Sequence, residues 1–496
     1  MKYIVYNIYN LSYYKGGFIM QLTVITIVVI YLLAMLAIGY YSSKKITSNE
    51  DFMVAGRNLG PFLMAGTLAA TEIGGGSSLG VVEKAYGQWG LGASWYIITM
   101  GIAFVILSFI APKFRASEVK TVPEYFRRRY GKSAGLITAI IMLLPLIGLT
   151  ASQFIASATI VSVMLNINLK IAVTIVAIVV TIYSIMGGLW AVAMTDFVQV
   201  FLIVIGMALA VPFSLNLAGG WGNVVANIPP ETLNMFQGIK LSTIISLIIM
   251  YVASFTVGQE AVSRFYAARN EKVAIQGSAL SAIINFVYAF IPTILGIITL
   301  ALVRMGKMDE SVILQDGAKF ALPHLAMAAM PAVIVGLLFS GIISATMSSA
   351  DSDLLGAGSI FGNDIYKIYI KPSATSDDVM KVTQWTMVLV GVLGWGIAMT
   401  NTGNLITLLM FSFTLRAAGA FFPYVFGLYW KKSSLAGTIA SLISGSIVVI
   451  VLENTKIDLW GLEPILPGLV VSFISFILLS ILMPSDRNDC SLLPEE

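Results

Sequence analysis

The feature that most limits what this chain can form is the recurrence of long apolar runs. Thirteen stretches, each near the length needed to cross a bilayer, alternate with short charged or Pro/Gly-rich breaks. They lie near 22–42, 60–80, 89–111, 134–165, 171–187, 190–212, 241–263, 273–303, 326–360, 381–400, 403–430, 435–452 and 464–483. In hydrocarbon every backbone polar group must be satisfied within the protein, so these runs are predicted to be helices. Charge scarcity agrees: Lys, Arg, Asp and Glu make up only 11% of the 496 residues, and hydrophobic residues make up 58%. That leaves too little polar surface for a soluble enzyme, a disordered chain or a nucleic-acid binder. A single cysteine, Cys490, and a single histidine, His324, exclude disulfide frameworks, Cys- or His-based metal centres and a histidine triad.

The bases predict the orientation. With the N-terminus outside, the inner loops receive Lys44, Lys45, Arg57, the cluster from Lys113 to Lys132, Arg264, Arg269, Lys272, Lys367, Lys371, Lys381, Lys431, Lys432 and Arg487. This is roughly a two-to-one excess over the outer loops, the positive-inside pattern of an N-out, C-in protein. Arg416 is the one base placed within a span, and His324 falls in an outer loop at 304–325. Residues 1–21 read as an extracellular extension, 22–483 as one polytopic domain and 484–496 as a cytoplasmic tail. No cleavable signal, appended soluble domain or phosphate-binding Gly-x-x-x-x-Gly-Lys loop is evident.

Chemistry is expected where spans carry residues that a lipid-facing helix would not. The second span runs Ala69-Ala70-Thr71-Glu72-Ile73-Gly74-Gly75-Gly76-Ser77-Ser78, and three glycines beside an acid make a poor helix centre. An unwound stretch there exposes carbonyls and N–H groups to a cation and a small solute. The competing reading is close packing through small residues. The seventh span is interrupted in the same way at Thr256-Val257-Gly258-Gln259-Glu260. Broken helices at matching positions of two halves point to an inverted-repeat secondary transporter, with 60–212 as one repeat and 241–430 as the other. In the ninth span Ala345, Ser348, Ser349 and Ser352 share a helix face, next to Asp351 and Asp353. Hard oxygens in that array suit an alkali cation, while hydroxyls bonding back one turn are the alternative.

These residues sit within motifs. They are Phe52-Met53-Val54-Ala55-Gly56-Arg57, the stretch from Gly187 to Gln199, Gly258-Gln259 followed by Arg264-Phe265, Ala345-Thr346-Met347-Ser348-Ser349, and Gly427-Leu428-Tyr429-Trp430-Lys431. In this order and topology the chain resembles the sodium:solute symporter family, which includes bacterial proline, pantothenate, sialic acid and galactose carriers, from about Met20 to Met483. The resemblance implies an all-α membrane protein with a LeuT-type 5+5 inverted-repeat core, one extra helix before it and two after it. It also implies a sodium ion between the second and ninth spans, held by Ala70, Ile73 and Ala345 carbonyls and Ser348 and Ser349 hydroxyls. A second sodium of some members falls on Asp196, Ser348, Asp351 and Ser352, where Asp351 replaces a serine. Glu72 stands where the proline carriers have an Asp, with coupling-ion electrostatics, proton binding and a structural hydrogen bond as its possible roles.

Arg416 departs from the small apolar usage of the family. It either offers a forked pair of bonds to a solute carboxylate or pairs with Glu260 or Asp353. Gly74, Gly75, Ser77, Ser78, Gln153, Tyr251, Ser254 and Gln259 are the other candidate solute contacts, as backbone or polar groups on core spans. The expected function is sodium-coupled import of a small organic solute, an amino acid or carboxylate by the Arg416 argument, across a bacterial inner membrane. Sodium, the solute and the bilayer are the expected partners; no obligatory protein partner, no nucleic acid, no transition metal and no enzymatic activity are expected. A proton-coupled carrier and a non-transporting sensor are the alternatives.

Overall fold

The computed structural model describes residues 17–44, 46, 48–311, 313, 317–400, 405–455, 457, 462–485 and 490–492. Most of the predicted N-terminal extension and parts of the predicted tail, with Lys45 and Arg487, lie outside them. Among the described residues the protein is helical, and its one β-bridge joins Leu59 to Ala268. The helices are α1 (Gly17–Ser43), α2 (Pro61–Glu72), α3 (Val81–Tyr86), α4 (Trp95–Ala116), α5 (Val122–Tyr130) and α6 (Lys132–Leu165). They continue with α7 (Leu169–Ser184), α8 (Gly188–Ala218), α9 (Leu241–Val257), α10 (Gln259–Ala267), α11 (Glu271–Tyr288) and α12 (Phe290–Arg304). The last are α13 (Ala321–Ala329), α14 (Ala332–Ser359), α15 (Ser376–Thr400), α16 (Leu405–Tyr429), α17 (Leu435–Thr455) and α18 (Ile465–Leu482).

Ten helical stretches among the described residues are long and apolar enough to cross a membrane. The pair α9–α10, bent by 56° at Gly258, makes an eleventh if it is taken as one span. The other two predicted runs coincide with the broken pair α2–α3 and with the shorter α7. One boundary differs from the sequence reading. The ninth run starts later than 326, because Pro331 caps α14 and leaves 326–329 in α13. His324 lies buried on the short helix α13, within the connection between α12 and α14.

Packing partners recur in exchanged pairs. α2 packs against α8 and α11, and α9 packs against α16 and α4. α6 contacts α14, α15 and α16, while α14 contacts α6, α7 and α8. α1 lies on α8 and α14, and α17 and α18 pack on each other beside α16. The two broken helices are tied at one end by the backbone, where Leu59 donates to the Ala267 carbonyl and Arg269 to the Leu59 carbonyl, both at 3.0 Å.

Candidate functional site

The glycine triplet breaks α2 because its neighbours leave no room for side chains. α2 ends at Glu72, Ile73 leaves the helix at φ −81°, ψ 70°, and the chain resumes as a widened turn over Gly76–Gly80 before α3. A β-carbon on Gly74 would lie 2.6 Å from Ser349 Oγ and 2.8 Å from Gln153 Oε1, and one on Gly76 2.9 Å from the Tyr96 hydroxyl. The Gly75 N–H, freed by the break, donates to Gln153 Oε1 at 2.9 Å. The unwound backbone is thus satisfied by protein, as burial at membrane depth requires.

α14 closes on this break. Ser349 Oγ donates to the Thr71 carbonyl at 2.7 Å, across the gap between α14 and α2, and to its own Ala345 carbonyl at 3.1 Å. Ser352 Oγ likewise bonds back to the Ser348 carbonyl at 2.8 Å, so the local alternative and the cross-helix contact coexist. Ser348 Oγ donates to Asp196 Oδ1 at 2.5 Å, and Thr67 Oγ1 donates to Asp196 Oδ2 at 2.5 Å. Ala70, Ile73, Ala345, Ser348 and Ser349, the five residues predicted to hold sodium, are all buried where α2 breaks against α14.

The residues predicted for a second ion do not converge in the same way. Arg264 reads as an inner-loop base, yet it lies in α10 with 1% exposure. Its guanidinium donates to Ser352 Oγ at 2.5 Å and reaches Asp196 Oδ2 at 3.4 Å. The sequence reading missed this because Arg264 sits one turn before Arg269 and Lys272, in what reads as a basic loop. Asp351 turns away toward α7, where the Ser184 hydroxyl donates to it, and lines a separate recess with Gly39, Tyr183 and Gly187.

A narrow, partly open cleft with a free volume of about 20 Å³ lies beside the break. Its walls include the predicted residues Glu72, Gly74, Ser77, Gln153 and Ser349, together with Thr71, Gly76, Tyr96, Met100, Leu149, Glu260, Asp353, Leu409 and Phe413. Ser77 Oγ donates to the Glu72 carbonyl at 2.9 Å. The other predicted solute contacts are used elsewhere. Ser78 is bonded to the Tyr288 hydroxyl at 2.9 Å, and the Tyr251 ring stacks edge-on with Tyr96. Gln259 receives the Val122 N–H at 2.9 Å and donates to the Lys120 carbonyl at 3.1 Å, away from the cleft.

Arg416 is not among the cleft's walls. Its Nη2 is 2.5 Å from Glu260 Oε1, its Nε donates to Ser254 Oγ at 2.6 Å, and its guanidinium lies over the Phe413 ring at 4.8 Å. Of the two roles left open for it, pairing with Glu260 is the one the structure adopts. The break at Gly258 makes room for this pair, since a β-carbon there would lie 2.7 Å from both the guanidinium carbon and Glu260 Oε1.

α5, α10 and α16 meet through Tyr125, Tyr266 and Tyr424. Tyr266 and Tyr424 share a hydrogen bond of 2.7 Å, and Thr121 donates to Asp364 at 2.6 Å. Arg57 binds the carbonyls of Glu118 and Tyr266 at 2.9 and 3.2 Å.

Paired helix breaks around a buried cleft, with a hydroxyl-lined helix against one of them, define a secondary transporter of the LeuT fold, and solved structures agree. A sodium-coupled sialic acid symporter in a substrate-bound outward-open state superposes with a TM-score of 0.78 at 20% identity, covering 94% of this chain and 99% of that one. Mhp1, a nucleobase-cation-symport-1 family transporter, superposes with a TM-score of 0.57 at 15% identity, covering 88% and 94%. The model of the sodium:solute symporter family matches residues 52–445, and the chain belongs to that family. It is 25% identical over 492 residues to the osmoregulated proline transporter OpuE of Bacillus subtilis, covering 93% of this chain and 95% of that protein. To a sodium/proline symporter of Staphylococcus aureus it is 26% identical over 473 residues, covering 90% of each. The protein is a multi-pass membrane carrier that couples solute import to sodium, and not an enzyme.

Proposed function

We propose that the coupling sodium sits between the end of α2 and the middle of α14, held by the carbonyls of Ala70, Ile73 and Ala345 and the hydroxyls of Ser348 and Ser349. The observation that carries this is the 2.7 Å contact of Ser349 Oγ with the Thr71 carbonyl, which joins α14 to the broken helix through oxygens. A monovalent cation there replaces a hydroxyl proton as the bridge and stabilises the state in which both helices meet. Solute binds in the adjacent cleft, and two repeats, 60–212 and 241–430, rock about it within a single domain, 22–483. The exchanged packing partners of α2 and α9 and of α6 and α14 support that division. We read thirteen spans with the N-terminus outside and the tail inside, in a bacterial inner membrane. The Tyr266–Tyr424 contact is then on the cytoplasmic side.

Arg264 supports coupling to one sodium. It supplies a tethered positive charge between Asp196 and Ser352, the place the family resemblance gives to a second ion. Two relatives named for proline make a small amine-bearing solute the starting class.

Sodium-gradient uptake by the full chain in proteoliposomes tests the reading. Ser348→Ala and Ser349→Ala each raise the half-saturating sodium concentration by roughly tenfold, since each removes a charge-assisted contact. Unchanged sodium dependence at normal protein levels would sink the assignment. Uptake driven by a pH gradient in sodium-free buffer would favour a proton-coupled carrier working through Glu72 or Asp351.

A further inference from the structure

The cleft gathers more acidic side chains than cationic ones. Three carboxylates line it, Glu72, Glu260 and Asp353, each at least nine-tenths buried. Among the described residues Arg416 pairs with Glu260 at 2.5 Å, and the Arg264 guanidinium donates to the Glu260 backbone carbonyl. Glu260 also lies in the first turn of α10, where the positive end of the helix dipole favours an acid. Glu72 has the opposite placement. It is the last residue of α2, so its carboxylate joins the negative, carbonyl-bearing end of that helix, and its buried Oε1 has no hydrogen-bond partner. Asp353, in the last third of α14, makes no ion pair among the described residues.

With all three acids ionised, and with Arg264 balanced by Asp196, the count around the cleft is three negative charges against the one positive charge of Arg416. A sodium ion at its proposed place lowers the deficit to a single charge. Buried charge at membrane depth is tolerated when something neutralises it. The walls also say what kind of cation fits. No three acidic, histidine or cysteine side chains among the described residues converge closely enough to chelate a metal ion. Instead the carboxylates are spread around a cleft that also presents the aromatic faces of Tyr96 and Phe413 and the apolar Met100, Leu149 and Leu409. Dispersed acceptors on an aromatic and aliphatic wall suit an organic cation with N–H donors and a carbon body.

Resting on the sodium-coupled reading above, we propose that the transported solute is a small organic cation, an amine or guanidine whose positive charge is not balanced by a carboxylate of its own. Its N–H groups are received by Glu72 and Asp353. Arg416 is the positioning residue that holds Glu260 and takes no part in binding a solute anion.

The test is uptake by the full chain in proteoliposomes under a sodium gradient. Radiolabelled agmatine, putrescine and methylamine are compared with proline, succinate and glucose. Melting temperature with and without sodium is measured on the same preparations. The expected result is sodium-driven uptake of at least one of the three cations, steeper with an inside-negative potential than sodium alone requires. Glu72→Gln and Asp353→Asn each raise its half-saturating concentration by about tenfold or more, the usual scale for losing one member of a buried charge pair. Sodium still raises the melting temperature of both variants, which shows that they are folded. Uptake of none of the three cations overturns the proposal, whichever other solute is carried. So does uptake of a neutral solute with protons that Glu72→Gln abolishes, because the acids then carry protons. A chain that sodium does not stabilise at all refutes the sodium reading instead, so the two failures are distinguishable.

Discussion

Gly74→Ala probes the joint between ion and helix break most directly. The added methyl carbon would lie 2.6 Å from Ser349 Oγ, 2.8 Å from Gln153 Oε1 and 2.9 Å from Gln153 Nε2, against about 3.5 Å for a comfortable contact. The backbone cannot yield cheaply, because the next residue is tied by its N–H to that same glutamine. Ser349 has to swing away from the Thr71 carbonyl, giving up one hydrogen bond worth about 1 kcal/mol. Overpacking a tight site adds about 1–3 kcal/mol. The sum is roughly 2–4 kcal/mol of stability, and because the displaced Ser349 is a proposed sodium ligand, loss of its contact, worth about 1–1.5 kcal/mol, should weaken sodium binding by about tenfold. Binding of radioactive sodium to detergent-solubilised protein reads this without any knowledge of the solute. The sodium-dependent rise in melting temperature, which follows ligand occupancy, should shrink with it. Gly396→Ala is the matched control: nothing lies within 4 Å of its β-carbon position on α15, and alanine favours a helix interior by up to about 1 kcal/mol. If Gly74→Ala binds sodium as the parent does and melts at the same temperature, the close approach of α14 to the break is not what holds the ion.

Other expectations follow from the buried pairs. Arg416→Met leaves Glu260 buried without a cation and should lower stability by about 3–5 kcal/mol in denaturant unfolding. Adding Glu260→Gln should recover most of it, and a double variant no better than the single would show that the two do not act as a pair. Gly258→Ala crowds the same pair from 2.7 Å and should cost about 1–3 kcal/mol in the parent but less in the Arg416→Met/Glu260→Gln background, because neighbouring changes couple. Sodium-dependent uptake should follow a simple hyperbola if Arg264 occupies the second ion position, and a sigmoidal curve in the parent protein would refute the single-ion reading. Arg264→Gln should destabilise the protein and Asp196→Asn should suppress that loss, measured by the same unfolding assay.

Much of this was readable along the chain, because the bilayer constrains sequence locally. Spans need length and apolarity, so all thirteen runs coincide with helices or broken helices. The glycine triplet and the Gly258 interruption announce their breaks through propensity alone. The five residues that the family resemblance gives to sodium lie on two segments, 70–73 and 345–349, and Ser349 joins the second to the first through the Thr71 carbonyl. Thr71 adjoins them, and only the packing of α14 against α2 brings its carbonyl to Ser349.

What the sequence could not decide is which charges face one another. Arg264 reads as a loop base because its neighbours Arg269 and Lys272 are basic, and only the packing of α10 between α2 and α14 buries it against Asp196. Arg416 stands alone in its span, so the sequence leaves a solute carboxylate, Glu260 and Asp353 open as its partner. Glu260, more than one hundred and fifty residues earlier, is brought beside it by the packing of α9 and α10 near α16. Asp351 and Asp353 are two residues apart, yet helical geometry turns the first toward α7 and the second into the cleft. Apolar length and helix-breaking residues are local properties, and the sequence determined them by itself. The balance of buried charge is a sum over segments remote in the chain, so the tertiary structure alone decided that the cleft is acidic.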